Sequence, residues 1–379
     1  MYGRRVFGLD VLRALAILIV VYAHGVIFQG NSHFLKKLYK IHIPIDGVDL
    51  FFVLSGFLIG HILLKAVSNG FFNISSLFEF WIRRWFRTLP NYFLILGCLM
   101  LIFNSYFDKY TIIKFIFFIQ NLAYPHPDVF PEAWSLAVEE WFYLATPLLL
   151  FFLMKIKGLE HKRIILSWIF MIIIFSTAFR VYQAILMNLD GYAWEAHIRK
   201  EVFTRLDSLM YGILGAYLNR YHEKAWSAWA NKCFALGIIM ILGVLPAISA
   251  AISQKFFLNY ISLTFYPISV LLLLPKLSAW NVGPGRIRNV IIFISKISYS
   301  MYLTHLSLIM FYVLPKVMGW MPFHLGRSED LVRYIMYWTL TILISTILYK
   351  YYEQPMTSLR DKFSFRKLSI MPRPLTSST

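Results

Sequence analysis

The chain has 379 residues, 59% of them hydrophobic and only 15% charged, with a mean hydropathy of +0.61. Soluble globular chains carry about a quarter charged residues, and this much apolar surface exceeds what such a length can enclose, so a soluble fold is excluded. The net charge of +18 lies in short clusters between apolar segments rather than in one aromatic-laced stripe, which argues against nucleic acid as a partner and for the loop bias of membrane proteins.

Apolar windows near the 20 residues needed to span a bilayer run over 11–28, 48–65, 80–103, 133–154, 164–187, 203–218, 233–252, 257–275, 290–314 and 331–352. The opening Arg4-Arg5 before an apolar run resembles a signal peptide, but no small-residue cleavage site follows, and the run reads as the first membrane helix. The stretch 112–122 is too short to cross and reads as re-entrant or interfacial. Leaving it out gives about ten spans with both termini on one side. Loop charges then divide roughly two to one in favour of that side, which makes the N- and C-termini cytoplasmic. Threading 112–122 through the membrane would instead put the Lys155, Lys157, Lys162 and Arg163 cluster outside. The expected fold is an all-α polytopic membrane helix bundle over residues 1–355, followed by a short basic cytoplasmic tail over 356–379. Cys98 and Cys233 are far apart in apolar stretches, so neither a disulfide framework nor a thiolate metal site is expected.

Ionisable groups inside spans are costly and mark functional paths. His24 lies roughly 20 Å along the first helix from Asp10, at 1.5 Å per residue. Asp49 opens the second helix from the opposite end, Glu139 and Glu140 sit about two turns into the fourth, Arg205 and Asp207 begin the sixth, and His305 lies deep in the ninth. The ten-span topology puts all of them in the outer half of the bilayer, which argues for one shared polar cavity. Each also has a plainer reading. His24 is consistent with a simple interhelical hydrogen bond, Arg205 with Asp207 as a structural ion pair, and Ser55-Gly56 as close helix packing. Glu139 and Glu140 diverge by ~100° and do not face one cavity together. Tyr299, Tyr302 and His305 share a face, and Glu353 before Pro355 marks a helix end. On the cytoplasmic side Arg83, Arg84 and Arg87 lie in Trp-Ile-Arg-Arg-Trp-Phe-Arg, where guanidiniums can fork onto phosphate oxygens beside aromatic rings. Such a cluster equally serves as an orientation signal or lipid-headgroup contact.

Six stretches in order resemble the acyltransferase family 3 membrane proteins, which include O-antigen and exopolysaccharide O-acetylases. They are Gly8-Leu-Asp-Val-Leu-Arg through His24, Asp49-Leu-Phe-Phe-Val-Leu-Ser-Gly-Phe, Arg84-Trp-Phe-Arg-Thr-Leu-Pro, Trp134-Ser-Leu-Ala-Val-Glu-Glu-Trp, Arg205-Leu-Asp-Ser-Leu-Met-Tyr-Gly and Ile297-Ser-Tyr-Ser-Met-Tyr-Leu-Thr-His. The resemblance implies a multi-pass protein of the bacterial inner membrane. It also implies an acyl-CoA co-substrate, acetyl-CoA by family precedent, used from the cytoplasm with no permanently bound cofactor, arginines near its phosphates, and an essential helix-one histidine. The implied acceptor is a hydroxyl of a cell-envelope carbohydrate or glycolipid. Some family members carry an esterase-like domain after the helices; none is expected in the short stretch after Tyr352.

On this reading His24 is the general base, a carboxylate from Asp49 or Glu139 orients its ring, and Arg84, Arg87 and Arg83 hold the CoA phosphates. Direct transfer and an acyl-histidine intermediate both remain open. The rival from another class is a transporter whose buried charges form a solute path, although no two-fold internal similarity supports it.

Overall fold

In the computed structural model, which describes all residues except 1–4, 31, 42, 71, 157, 188–190, 284, 321–327 and 360–379, every expected span is a helix. They are α1 (Phe7–Phe28), α2 (Gly47–Ser68), α3 (Ile74–Ile102), α4 (Ala133–Leu153), α5 (His161–Met187), α6 (Leu206–Tyr221), α7 (Ala230–Ala251), α8 (Gln254–Ala279), α9 (Gly285–Gly319) and α10 (Glu329–Leu359). Nine are long and apolar enough to cross a bilayer. The exception, α6, has 16 residues, about 24 Å at the α-helical rise. It is well enclosed, with Leu209, Met210, Ile213 and Ala216 fully buried, so its neighbours rather than lipid surround it. Among the described residues there are no strands. The protein is a multi-pass all-α membrane protein.

Local chemistry starts the helices. The Asp46 carboxylate accepts from the Val48 amide at 2.9 Å to cap α2, and Asn73 with Ser76 forms a reciprocal capping box on α3. The segment between α3 and α4 holds only the eight-residue helix Lys109–Ile116, about 12 Å long and unable to cross, as its length in sequence implies. It is docked rather than threaded: Tyr92 donates to the Phe115 carbonyl and Trp141 to that of Phe118, both at 2.9 Å.

Small residues let α2 and α6 touch backbone to backbone. A Cβ on Gly56 would sit 1.8 Å from the Leu209 carbonyl oxygen, and one on Gly212 would sit 2.1 Å from that of Val53. This is small-residue packing of the kind membrane helices use in place of a hydrophobic drive, and it bears out the close-packing reading of Gly56. In α9, 72% of the most apolar window is buried, against 17% in α7 and α10. The first therefore lines the interior, and the other two form walls toward lipid. The start of α1 and the end of α10 come together at one end of the bundle, as an even number of crossings requires. The expected tail beyond 355 continues helically to Leu359; its remaining residues, 360–379, lie outside the described residues.

Candidate active site

Three cavities run through the bundle in series. The first, about 920 Å³, lies at the start of α1 and is lined by Arg5, Arg13, His61, Lys65, Arg87, Arg220 and Lys296; it is called the basic chamber. A middle chamber of about 250 Å³ shares Arg13, Leu58 and Arg87 with it and adds Ser55, Arg84, Glu139 and Tyr143. A third, about 860 Å³, opens at the other end of α1 and shares Val48 and Tyr302 with the middle chamber. It contains His24 and is called the histidine chamber. Shared lining residues place the three chambers side by side in series, with cations at one end and an imidazole at the other.

The arginine cluster of α3 divides by helical angle. Arg83 points outward and pairs with Glu79, one turn back, at 2.6 Å, so its expected place at the phosphates is not the one it occupies. Arg84 enters the middle chamber with its guanidinium 5.4 Å from the Tyr143 ring centre. Arg87 stands where the basic and middle chambers meet. Arg13, one turn after Asp10 on α1, stands at the same junction. Asp10 is itself held by Arg5 at 2.8 Å and by Ser295 at 2.7 Å. Among the described residues neither Arg13 nor Arg87 has a carboxylate within ion-pair distance. Two guanidiniums thus face the chambers without a direct ion pair, an arrangement suited to receiving an anion. Arg13 was legible only as a charge inside the first apolar run. Nothing in the sequence showed that it faces the chambers.

At the far end, His24 Nδ1 lies 2.9 Å from the Val20 carbonyl oxygen and 3.3 Å from His305 Nε2. Its ring lines the histidine chamber instead of facing lipid. Neither expected carboxylate orients it. Asp49 is bound by Arg205 across the α2–α6 contact, with both side chains buried. Glu139 belongs to the middle chamber, where it accepts from Ser55 at 3.0 Å and from Tyr143 at 2.7 Å. Glu140 turns away and accepts from Thr88 at 2.7 Å, the divergence that adjacent helix positions impose. The single shared cavity expected for these groups is not found: His24 and Asp49 line the histidine chamber and Glu139 the middle one, while Glu140, Arg205, Asp207 and His305 line neither. Arg205 does not pair with Asp207; Asp207 pairs with Arg180 of α5 at 3.0 Å, both fully buried. Glu353 does not end its helix, which continues to Leu359; it accepts from Asn91 at 3.0 Å and from Ser300 at 2.5 Å in the wall of the basic chamber.

The remaining wall of the histidine chamber comes from residues that sequence patterns did not single out. Arg199 pairs with Asp46 and, at 3.0 Å, with Glu195; Lys200 also reaches Glu195, at 2.7 Å. The Arg199 guanidinium lies 5.2 Å from the Trp134 ring centre. Burial works against the charge on Asp46, but the Arg199 guanidinium and the Val48 amide hold its carboxyl below the usual aspartate value. Indole and phenol faces beside paired charges, with Trp134, Trp194, Tyr266 and Tyr302 all in the lining, suit a polar ligand with apolar ring faces. Among the described residues no group of three potential ligands for a metal ion occurs.

The model of the acyltransferase domain family matches residues 6–350. A candidate O-acetyltransferase of Staphylococcus aureus strain COL is 27% identical over 93% of this chain and 57% of its own length. The O-acetyltransferase OatA of Staphylococcus aureus strain NCTC 8325 is 27% identical over 98% of this chain and 60% of its own. The chain thus spans a little over half the length of these relatives. No solved structure matches it significantly. With the family model covering nearly every described helix, the chain belongs to the acyltransferase family 3 membrane proteins.

Proposed function

We propose that this protein transfers an acyl group, acetyl by family precedent, from acyl-CoA to a hydroxyl of a cell-envelope carbohydrate or glycolipid. The observation that carries the reading is the series of adjoining chambers that runs from Arg13 and Arg87 at one end to His24 at the other. The basic chamber faces the cytoplasm, where the excess of loop Lys and Arg lies. Arg87 and Arg84 hold donor phosphates, and the extended pantetheine arm runs through the middle chamber past Glu139. The acceptor enters the histidine chamber from the opposite side, against Trp134 and Tyr302. The relatives' names, as O-acetyltransferases, support the reaction class, and their source supports a place in the bacterial cytoplasmic membrane.

The chemistry follows from which nitrogen is free. A carbonyl oxygen only accepts, so the Val20 contact requires the proton of neutral His24 to sit on Nδ1. Nε2 is then the basic atom. It takes the acceptor hydroxyl's proton as the oxygen attacks the thioester carbonyl. The tetrahedral oxyanion collapses, the carbon–sulfur bond breaks, and the imidazolium returns the proton to the CoA thiolate. Asp49 acts from the wall by anchoring Arg205 behind the site. General-base catalysis contributes on the order of 10²–10⁴-fold, so His24→Ala is expected to abolish measurable transfer of labelled acetyl groups in membranes while acetyl-CoA still binds. Full transfer by that variant would refute the role of His24. Wild-type protein that binds no acetyl-CoA would refute the donor.

A further inference from the structure

His305 is fully buried, yet its side chain meets the His24 ring, and acyl transfer by His24 alone leaves it idle. At His305 the helix α9 departs from α-geometry and runs as a π-helix over His305–Val313, with Thr304 at φ −105° marking the change. Such widened turns concentrate at functional sites because they re-aim side chains. Here the turn is pinned from outside: the Glu132 carboxylate accepts from the Ser307 amide at 3.1 Å and from its hydroxyl at 2.6 Å. Inside the turn, His305 Nδ1 lies 2.7 Å from the Tyr302 carbonyl oxygen and 3.1 Å from that of Met301.

Those two carbonyls settle the ring's protons. Neither can donate, so Nδ1 of neutral His305 carries the hydrogen and Nε2 keeps its lone pair. That lone pair faces His24 Nδ1, which the Val20 carbonyl has already required to be protonated. The His24 proton is therefore shared between two acceptors, one backbone and one imidazole, with the rings edge to face at 62° and 5.0 Å between centres.

We propose that His305 is a positioning residue for acyl transfer, a neutral imidazole acceptor that aims His24 Nε2 into the histidine chamber and holds the imidazolium as it forms. This rests on the reading of His24 as general base. It gives an uncharged ring the part that a carboxylate takes in Ser-His-Asp sites. When Nε2 gains a proton, the charge spreads to Nδ1–H, and both of its hydrogen bonds become charge-assisted and stronger. The interaction therefore grows in the transition state, and its loss should appear in kcat and not in the donor's KM.

The test uses the full chain in detergent with acetyl-CoA and a soluble hydroxyl acceptor that the wild type acetylates. His305→Leu removes the acceptor atom. It is expected to lower kcat by about 100-fold, the scale of a mis-aimed catalytic group, with the KM for acetyl-CoA unchanged. His305→Gln places an amide oxygen near the position of Nε2, whereas in His305→Asn the amide falls short of it. The glutamine variant is expected to exceed the asparagine variant at least tenfold, a comparison that holds even if the leucine variant does not fold. Wild-type kcat in His305→Leu, or equal kcat in the glutamine and asparagine variants, would overturn the proposal. His24→Ala run in parallel separates the two levels. Full transfer there removes the base and this proposal together, while loss there with unimpaired His305→Leu removes the proposal alone.

Discussion

Removing the three arginines of α3 one at a time should give three different answers, although the sequence presents them as one cluster. Arg87 faces the junction of two chambers without a carboxylate partner, so its truncation removes ligand contacts without freeing a buried anion. A hydrogen bond to a charged group is worth about 1.5–3 kcal/mol, and each 1.4 kcal/mol is about tenfold in affinity. Arg87→Ala should therefore weaken acetyl-CoA binding by about 10- to 150-fold on these scales. Arg84 lies deeper, against Tyr143 in the middle chamber, where on the proposed reading it meets the donor phosphates at the start of the pantetheine arm. Its truncation should cost less in binding and add a loss in kcat. Arg83 is engaged by Glu79 on the surface, with half of its side chain exposed, and Arg83→Ala should leave binding within about twofold, as surface ion pairs contribute little. Equilibrium binding of labelled acetyl-CoA to detergent-purified protein at two salt concentrations reads all three. A loss in Arg83→Ala equal to that in Arg87→Ala would show that the helical division of the cluster does not govern donor binding.

Two further outcomes test the framework of the site. Gly56→Ala puts a methyl group 1.8 Å from the Leu209 carbonyl, so the α2–α6 contact must open, at a cost on the scale of ~1–3 kcal/mol for overpacking. Gly97→Ala, whose Cβ would meet nothing within 4 Å, should be neutral or gain up to about 1 kcal/mol in helix propensity. Thermal unfolding followed by gel filtration in detergent separates the two, and equal melting temperatures would contradict the close packing. For Asp46, whose folded-state value is lowered below 3.8, the stabilisation is complete above the unfolded value and disappears as pH falls through the folded one. The difference in melting temperature between wild type and Asp46→Asn should accordingly stay constant from about pH 5 to 8 and close only below the ordinary aspartate range. A difference that closes near neutrality would assign the Arg199 contact to another group.

Helix positions were legible because burial in lipid is a local demand. A window of about 20 apolar residues must be a span whatever surrounds it, and even the short helix after α3 followed from its length. His24 was legible for the same reason, as a polar group where lipid penalises one. Partners were not. Arg205 and Asp207 are adjacent enough in sequence to suggest a pair, but two positions on a helix point ~200° apart, and each instead meets a residue of another helix, Asp49 and Arg180. The same geometry separates Glu139 from His24. Glu139 faces the bundle from α4 beside Ser55 and Tyr143, while His24 lies in the last turns of α1 beside α9.

Composition and hydropathy by themselves determined a membrane bundle, its crossings and its polar intruders, because each is a property of a residue and its chain neighbours; the family entered through the resemblance of six ordered stretches. Only the tertiary structure decided that Arg13 and Arg87 line the same chambers, that Arg83 does not, and that a second histidine rather than a carboxylate meets His24. Which side chains share a cavity depends on the rotation and approach of separate helices. Those are set by close contacts such as Gly56 against Leu209, between residues more than 150 positions apart, and no local pattern along the chain encodes them.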